Sequence, residues 1–286
     1  MTESAFFSYA RERQLVMLAR RAGESAPWTQ DPILQQYRFC NVFREDDRTT
    51  KWFREHMRDP LSHLSNVVFA TICFRWFNRI ETGEILLKHD LHANWDPELA
   101  WDVLKDQHPL VTGAFMVKTT IGVSPKLKAL IELLTNVWVG RSALLLQWDK
   151  RSLMRSWELL LGFPYLGKFM AYEMVTDLRH TDMLANANDI CEWANPGPGA
   201  LRGAGRVVYN DPTHFKGTVA DYEEVGEIMR FLLLCSKQGH HWPTGLSSGQ
   251  HEWPAWEMRE VEHTLCEFDK YERSRLGEGR LKRKYP

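Results

Sequence analysis

The sequence predicts an all-α fold, a single large helical domain spanning residues 1–286. Three observations lead there. First, a helix-start signature recurs: Asp31-Pro32, Asp59-Pro60, Asp96-Pro97 and Ser124-Pro125 each put a capping side chain before a proline. The side-chain oxygen accepts a bond from an early helical N–H, and proline suits the first turn because its missing donor would have no partner there. Second, apolar residues follow these starts at spacings of three and four. Leu61, Leu64, Val67, Val68, Thr71 and Ile72 do so after Pro60, and Leu127, Leu130, Ile131 and Leu134 after Pro125. Third, strand-type alternation is weak throughout.

In chain order, helices are expected near 5–21, after Pro32, near 47–58, and after Pro60, Pro97 and Pro125. Further helices are expected near 151–161, 167–179, 218–237 and 255–276. Residues 186–217 break the pattern, with Asn195-Pro-Gly-Pro-Gly199 followed by Leu201-Arg-Gly-Ala-Gly205. Glycine and proline disfavour helix interiors, so the segment reads as a functional Gly/Pro-rich loop within the domain.

Composition sets the bounds. A chain of 286 residues, 44% hydrophobic, is long enough to bury a large core, and most of its 12 tryptophans are expected there. The net charge of −1 excludes a uniformly basic DNA coat. Positive charge is concentrated at the end, in Arg273, Arg275, Arg280, Lys282, Arg283 and Lys284, either as a nucleic-acid contact or as a solvated terminus. The five cysteines are scattered without a C-x-x-C pair and read as reduced thiols. Arginines at 11, 13, 20 and 21 interrupt any signal-like run, and no bilayer-spanning stretch is expected, so the protein is taken as cytoplasmic. His89-x-x-His92 and His240-His241 lack a completing ligand set, so no metal or other cofactor is expected. Walker A, dinucleotide and nucleophile-elbow motifs are absent, which argues against a nucleotide kinase.

Four segments carry candidate chemistry. Leu161-Gly-Phe-Pro-Tyr-Leu-Gly-Lys168 lies between two expected helices, a form that can offer hairpin amides, a helix N-terminus and Lys168 to a phosphate. It loosely resembles the helix-hairpin-helix of DNA glycosylases. Tyr172, Glu173 and Asp177 follow, the two carboxylates one helical turn apart, either as an acid/base pair or as partners of Lys168 and Arg179. Tyr37-Arg-Phe-Cys-Asn-Val-Phe-Arg44, with Asp46, Asp47 and Arg48, mixes planar donors with aromatic surfaces, suited to a flipped base and its phosphate or to a salt-bridged core helix. In Glu262-His-Thr-Leu-Cys-Glu-Phe-Asp-Lys-Tyr271, the residues Glu262, Cys266, Asp269 and Arg273 form one helical stripe, which suggests a buried polar network.

Together with Gly197-Pro-Gly-Ala-Leu-Arg-Gly203, these segments resemble the α-glutamyl/putrescinyl thymine pyrophosphorylase family, which includes phage amino-acid:DNA transferases. A similar helical domain accompanies 5-hydroxymethyluracil DNA kinases. The resemblance runs from about residue 28 to the C-terminus. It implies a transferase in a phage-infected bacterial cytoplasm. The enzyme would act on double-stranded DNA after a separate kinase has phosphorylated 5-hydroxymethyluracil, and an amino acid or amine would displace the (pyro)phosphate. On this view Asp177, with Glu173, deprotonates the amine, while Arg38, Arg44, Lys168 and Arg202 stabilise the leaving oxygens. Asn41 and Tyr37 hold the base, and Arg48, Tyr172, Glu267, Asp269 and Lys270 complete the substrate-binding set. A glycosylase for a modified pyrimidine and a non-catalytic DNA-binding module remain the alternatives.

Overall fold

A computed structural model describes residues 3–112, 126–243, 253–279, 281 and 283–285. Ser124-Pro125, Arg280 and Lys282, singled out above, lie outside them. The described residues form α1 (Glu3–Arg21), α2 (Pro32–Gln36), a 3-10 turn (Arg44–Asp46) and α3 (Arg48–Phe53), which runs into a π-helical turn (Arg54–Arg58). Then come α4 (Asn66–Phe77), α5 (Ile80–Lys88), α6 (Pro97–Leu104), α7 (Lys126–Leu146), α8 (Leu153–Leu160) and α9 (Lys168–Leu178). The chain ends with α10 (Pro198–Tyr209), α11 (Val219–Ser236) and α12 (Met258–Arg275). No strand forms among the described residues beyond one isolated bridge, Tyr37 to Lys284. The fold is all-α, as its sequence predicts.

The single domain expected from the sequence is divided into two compact units. One is discontinuous, Met1–Asp47 with Cys191–Pro286; the other is the continuous stretch Arg48–Ile190.

Local chemistry explains most helix ends. Asp31 accepts from the amides of Ile33 and Leu34 at 2.8 and 2.9 Å, and Asp96 does the same for Glu98 and Leu99 at 2.9 and 3.1 Å. Asp59-Pro60 does not start a helix: Asp59 closes the π-helical turn, its amide donating to Arg54 O and its carboxylate taking Arg58 Nε at 3.1 Å. With its side chain so engaged, Asp59 caps nothing, and α4 begins only at Asn66.

The Gly/Pro-rich stretch is the larger correction. The middle of what was read as a loop is the helix α10, Pro198–Tyr209, with Pro198 in its first turn. The glycines are there for close approach, not for turning. A Cβ on Gly203 would stand 2.2 Å from the carbonyl oxygen of Leu265, and one on Gly199 would stand 2.3 Å from Cys266 Sγ. No side chain fits where α10 presses its backbone against α12. The helix-propensity cost of glycine, about 1 kcal/mol each, is offset by that tight packing.

In the discontinuous unit, Phe6, Phe7, Trp242, Trp256 and Phe268 pack edge to face, Phe6 to Phe268 at 5.8 Å. In the continuous unit nearly all of α4 is buried, with Phe74 stacked on Phe53 at 4.7 Å. There α7 packs against α4 and α6. Contrary to the sequence reading, α7 is long and apolar enough, by length and composition alone, to span a bilayer. All five cysteines are free.

Candidate functional site

The discontinuous unit contains a narrow polar cleft where α1, residues 40–42 and α12 meet. Tyr9 and Arg13 lie one turn apart on α1 and so reach it together. His263, Glu267 and Lys270 recur at spacings of four and three along α12. The segment between is tied to both helices. Arg13 Nε donates to Cys40 O (3.1 Å), and its Nη2 donates to Phe39 O (3.0 Å) and to Asn41 Oδ1. From the other side the Cys40 amide donates to Glu267 Oε2 at 3.1 Å, and Lys270 Nζ donates to Glu267 Oε1. Asp47 fixes the turn by accepting from the Asn41 amide at 3.0 Å and by facing Arg44 Nε at 3.3 Å.

Thus Asn41, Arg44, Glu267 and Lys270, expected as substrate contacts, come together in this unit although more than two hundred residues of sequence separate them. Arg13 and His263 belong with them and were missed. The signal that could have found them is helical spacing, Arg13 four residues from Tyr9 and His263 four from Glu267.

Burial and charge shape the groups in the cleft. Burial, and then the charges of Arg44, Lys270, Arg259 and Arg13, hold the His263 imidazole well below its usual pKa, so it is neutral near pH 7. Burial alone would lower the Lys270 pKa, but Glu267 beside it outweighs that penalty and the net shift is upward, so the ammonium is a fixed cation. Burial, then Glu267 and Asp47, raises the Cys40 thiol, and burial pushes Cys266 up to about 12. Cys40, His263 and Glu267 each offer one donor atom within 4.8 Å of the others, a spacing an ion could draw together. The charges around the cleft are mixed: Arg44, Lys270, Arg259 and Arg13 act on His263, whereas Glu267 and Asp47 act on Cys40.

Beside the cleft, Asp269 is fully buried and holds three arginines: Arg202 Nε at 2.8 Å, Arg206 Nε at 2.9 Å and Arg273 Nε at 3.3 Å. The side chains of Arg202 and Arg273 are 40% and 38% exposed, so their outer edges face solvent. The expected roles of Asp269 and Arg202 therefore separate, with Asp269 orienting and Arg202 facing outward. Tyr37 and Arg38 do something else. They pair with the basic tail through the Tyr37–Lys284 bridge and an Arg38 amide donating to Arg283 O at 2.8 Å. That tail is anchored at Arg283 and Lys284.

The remaining expected residues, Arg48, Lys168, Tyr172, Glu173 and Asp177, lie in the continuous unit. Lys168 opens α9 after Gly167, which has no side chain to cap the helix, and the Lys168 carbonyl accepts from Trp157 Nε1 at 2.9 Å. Tyr172 and Glu173 are buried. Asp177 is corrected. It is 0% exposed and gripped by Arg75, Nε to Oδ2 at 2.5 Å and Nη2 to Oδ1 at 2.7 Å, and Arg75 is itself buried. A carboxylate sealed in a bidentate pair has no open oxygen for an ammonium proton, so Asp177 is a structural anchor and not the base.

Fold and cleft together give a helical module with a narrow cleft lined by Tyr9, Arg13, Asn41, His263 and Glu267. Residues 2–280 match the family described as the helical domain of 5-hmdU DNA kinase, and the chain belongs to that family. A 5-hmdU DNA kinase of Bacillus phage SP10 is 25% identical over 293 residues, covering 93% of this chain and 44% of that protein. The chain therefore spans less than half the length of this relative. No solved structure matches.

Proposed function

We propose that this chain is the helical module of a thymine-hypermodifying system and transfers an amino acid or amine to phosphorylated 5-hydroxymethyluracil in double-stranded DNA, after a separate kinase. The observation that carries this reading is a linked set in which Asn41 and Glu267 line the cleft and Arg44 and Lys270 are tied to it through Asp47 and Glu267. The modified base leaves the stack at a cost of about a few kcal/mol and presents its 5-methylene group to the cleft. The methylene–oxygen bond breaks with its electron pair going to the (pyro)phosphate, pushed by the ring nitrogen. Lys270 and Arg44, with Arg202 and Arg273 outside, stabilise that charge. The amine then attacks the electron-poor methylene, forming the carbon–nitrogen bond, and gives up one proton. That proton passes to water, since both Glu267 oxygens are taken by the Cys40 amide and Lys270. The hairpin 161–167, in the manner of a helix-hairpin-helix, and Lys168 serve as a backbone contact on DNA.

The excision alternative loses support, because the aspartate downstream of the hairpin is the sealed Asp177. A second reading, a base-presenting module for a kinase, draws on the name of the phage relative and on the 44% of that protein this chain spans. Nucleoside mass spectrometry separates them. The chain is incubated with DNA containing 5-phosphomethyl- or 5-pyrophosphomethyl-deoxyuridine plus a pool of amino acids and polyamines. A new nucleoside of donor-plus-methylene mass is expected. Unchanged nucleosides with both substrates, from protein that still binds the DNA, would transfer the assignment to base presentation.

A further inference from the structure

Arg13 is 3% exposed, and among the described residues no carboxylate lies within ion-pair distance of it. Its guanidinium is held by neutral acceptors alone, the carbonyls of Phe39 and Cys40 and the side-chain oxygen of Asn41. Its Nη1 is buried with no hydrogen-bond partner. Three further groups around the same cleft are in the same condition: Tyr9 OH, His263 Nε2 and Thr264 Oγ1. A buried polar atom without a partner costs roughly 1–3 kcal/mol, more for a charged one. Four in one cleft, around an unpaired cation, describe a site built for an acceptor-rich ligand that is absent from the free protein.

We infer that the cleft between α1 and α12 is an oxyanion site, anchored by Arg13 and completed by Tyr9, His263, Thr264 and Lys270. A phosphate-type dianion is the occupant assigned, because the unpartnered polar atoms come from both helices, Tyr9 and Arg13 from α1 and His263 and Thr264 from α12. Lys270 reaches the cleft with a side chain 40% exposed and opens the way in when its ammonium swings from Glu267 to the incoming oxygen. The inference deepens the transferase reading and rests on it for the natural source of the anion, the phosphate on the base.

His263 gives the site a measurable signature. The groups facing it are Tyr9 and Arg13 from α1, Cys40, Arg44 and Asp47 from the connecting segment, and Arg259, Cys266, Glu267 and Lys270 from α12. Burial and these cations keep the imidazole neutral. A dianion beside it reverses that field, so binding draws one proton onto His263, where it can pass to the leaving oxygen.

Calorimetric titration of the full chain tests this. Sulfate is the probe, since it does not itself titrate near neutral pH, and the runs are made near pH 7 in two buffers of different ionisation enthalpy. Saturable binding with uptake of close to one proton is expected. In His263→Gln uptake should vanish while binding persists, and Lys270→Gln should weaken binding at least tenfold. Phosphate should compete with sulfate, and glycine should not; competition by glycine alone would make this the carboxylate site of the donor and overturn the phosphate assignment. No saturable binding, or uptake unchanged in His263→Gln, would overturn the inference whatever the nucleoside assay shows. Binding with uptake but no transfer would sink only the transferase reading.

Discussion

Each unit of the molecule buries a carboxylate against arginine, and the two do it differently. In the continuous unit Arg75 grips Asp177 bidentately, both sealed, and Thr50 and Asn78 take further Arg75 donors at 3.0 Å each. In the discontinuous unit one Asp269 faces three arginines, two of them open to solvent. A balanced, fully bonded pair has nothing left to offer a ligand. An arrangement with more cations than its anion needs, or an Arg13 with no anion at all, has binding capacity in reserve. Position within the stoichiometry of charge, more than residue type, separates anchor from site.

The sharpest way to break this comparison is Asp177→Asn. It strands the buried Arg75, and chemical denaturation should report a loss of about 3–5 kcal/mol. Asp269→Asn should cost less, about 1.5–3 kcal/mol, because Arg202 and Arg273 can turn to water; equal losses in the two unfolding curves would erase the distinction drawn here. Gly203→Ala forces a methyl group against the Leu265 carbonyl and should cost about 1–3 kcal/mol, whereas Gly239→Ala, with nothing within 4 Å of its Cβ, should leave the melting curve almost unmoved.

The smallest effects are in pH. Neutral His263 means that the unfolded chain binds the extra proton more readily, so stability falls as pH drops through about 6.5, the unfolded value. Glu260 acts in the opposite sense. Burial raises it to about 7, so the folded chain holds its proton longer and stability falls as pH rises from the ordinary carboxylate range toward 7. His263→Gln should flatten the acid side of a stability–pH curve and Glu260→Gln the neutral side. Unchanged slopes in either variant would mean that the group is solvated.

What the sequence made legible was local. Asp31 and Asp96 read correctly as caps because the partner amides lie two and three residues away. Asp59 carried the same letters, but a π-helical turn claimed it first. The helix α10 was hidden because its glycines answer to Leu265 and Cys266 on α12, a contact that propensity cannot see. Half of the site followed the same rule: Asn41 and Arg44 stood out by composition and Glu267 and Lys270 through the family resemblance, while Arg13 looked like one more charge on an ordinary helix. Asp177 misled because a carboxylate beside a hairpin suggests chemistry, and its partner Arg75 lies 102 residues away.

The interrupted course of the chain through its first unit bears on synthesis. Phe6 and Phe7 leave the ribosome well before their partners Trp256 and Phe268. At roughly 5–20 residues per second, α1 waits about ten to fifty seconds for α12 while the stretch between is made and can fold as one run. During that interval the apolar face of α1 is an exposed, uncommitted surface, and the nascent chain depends on whatever shields it.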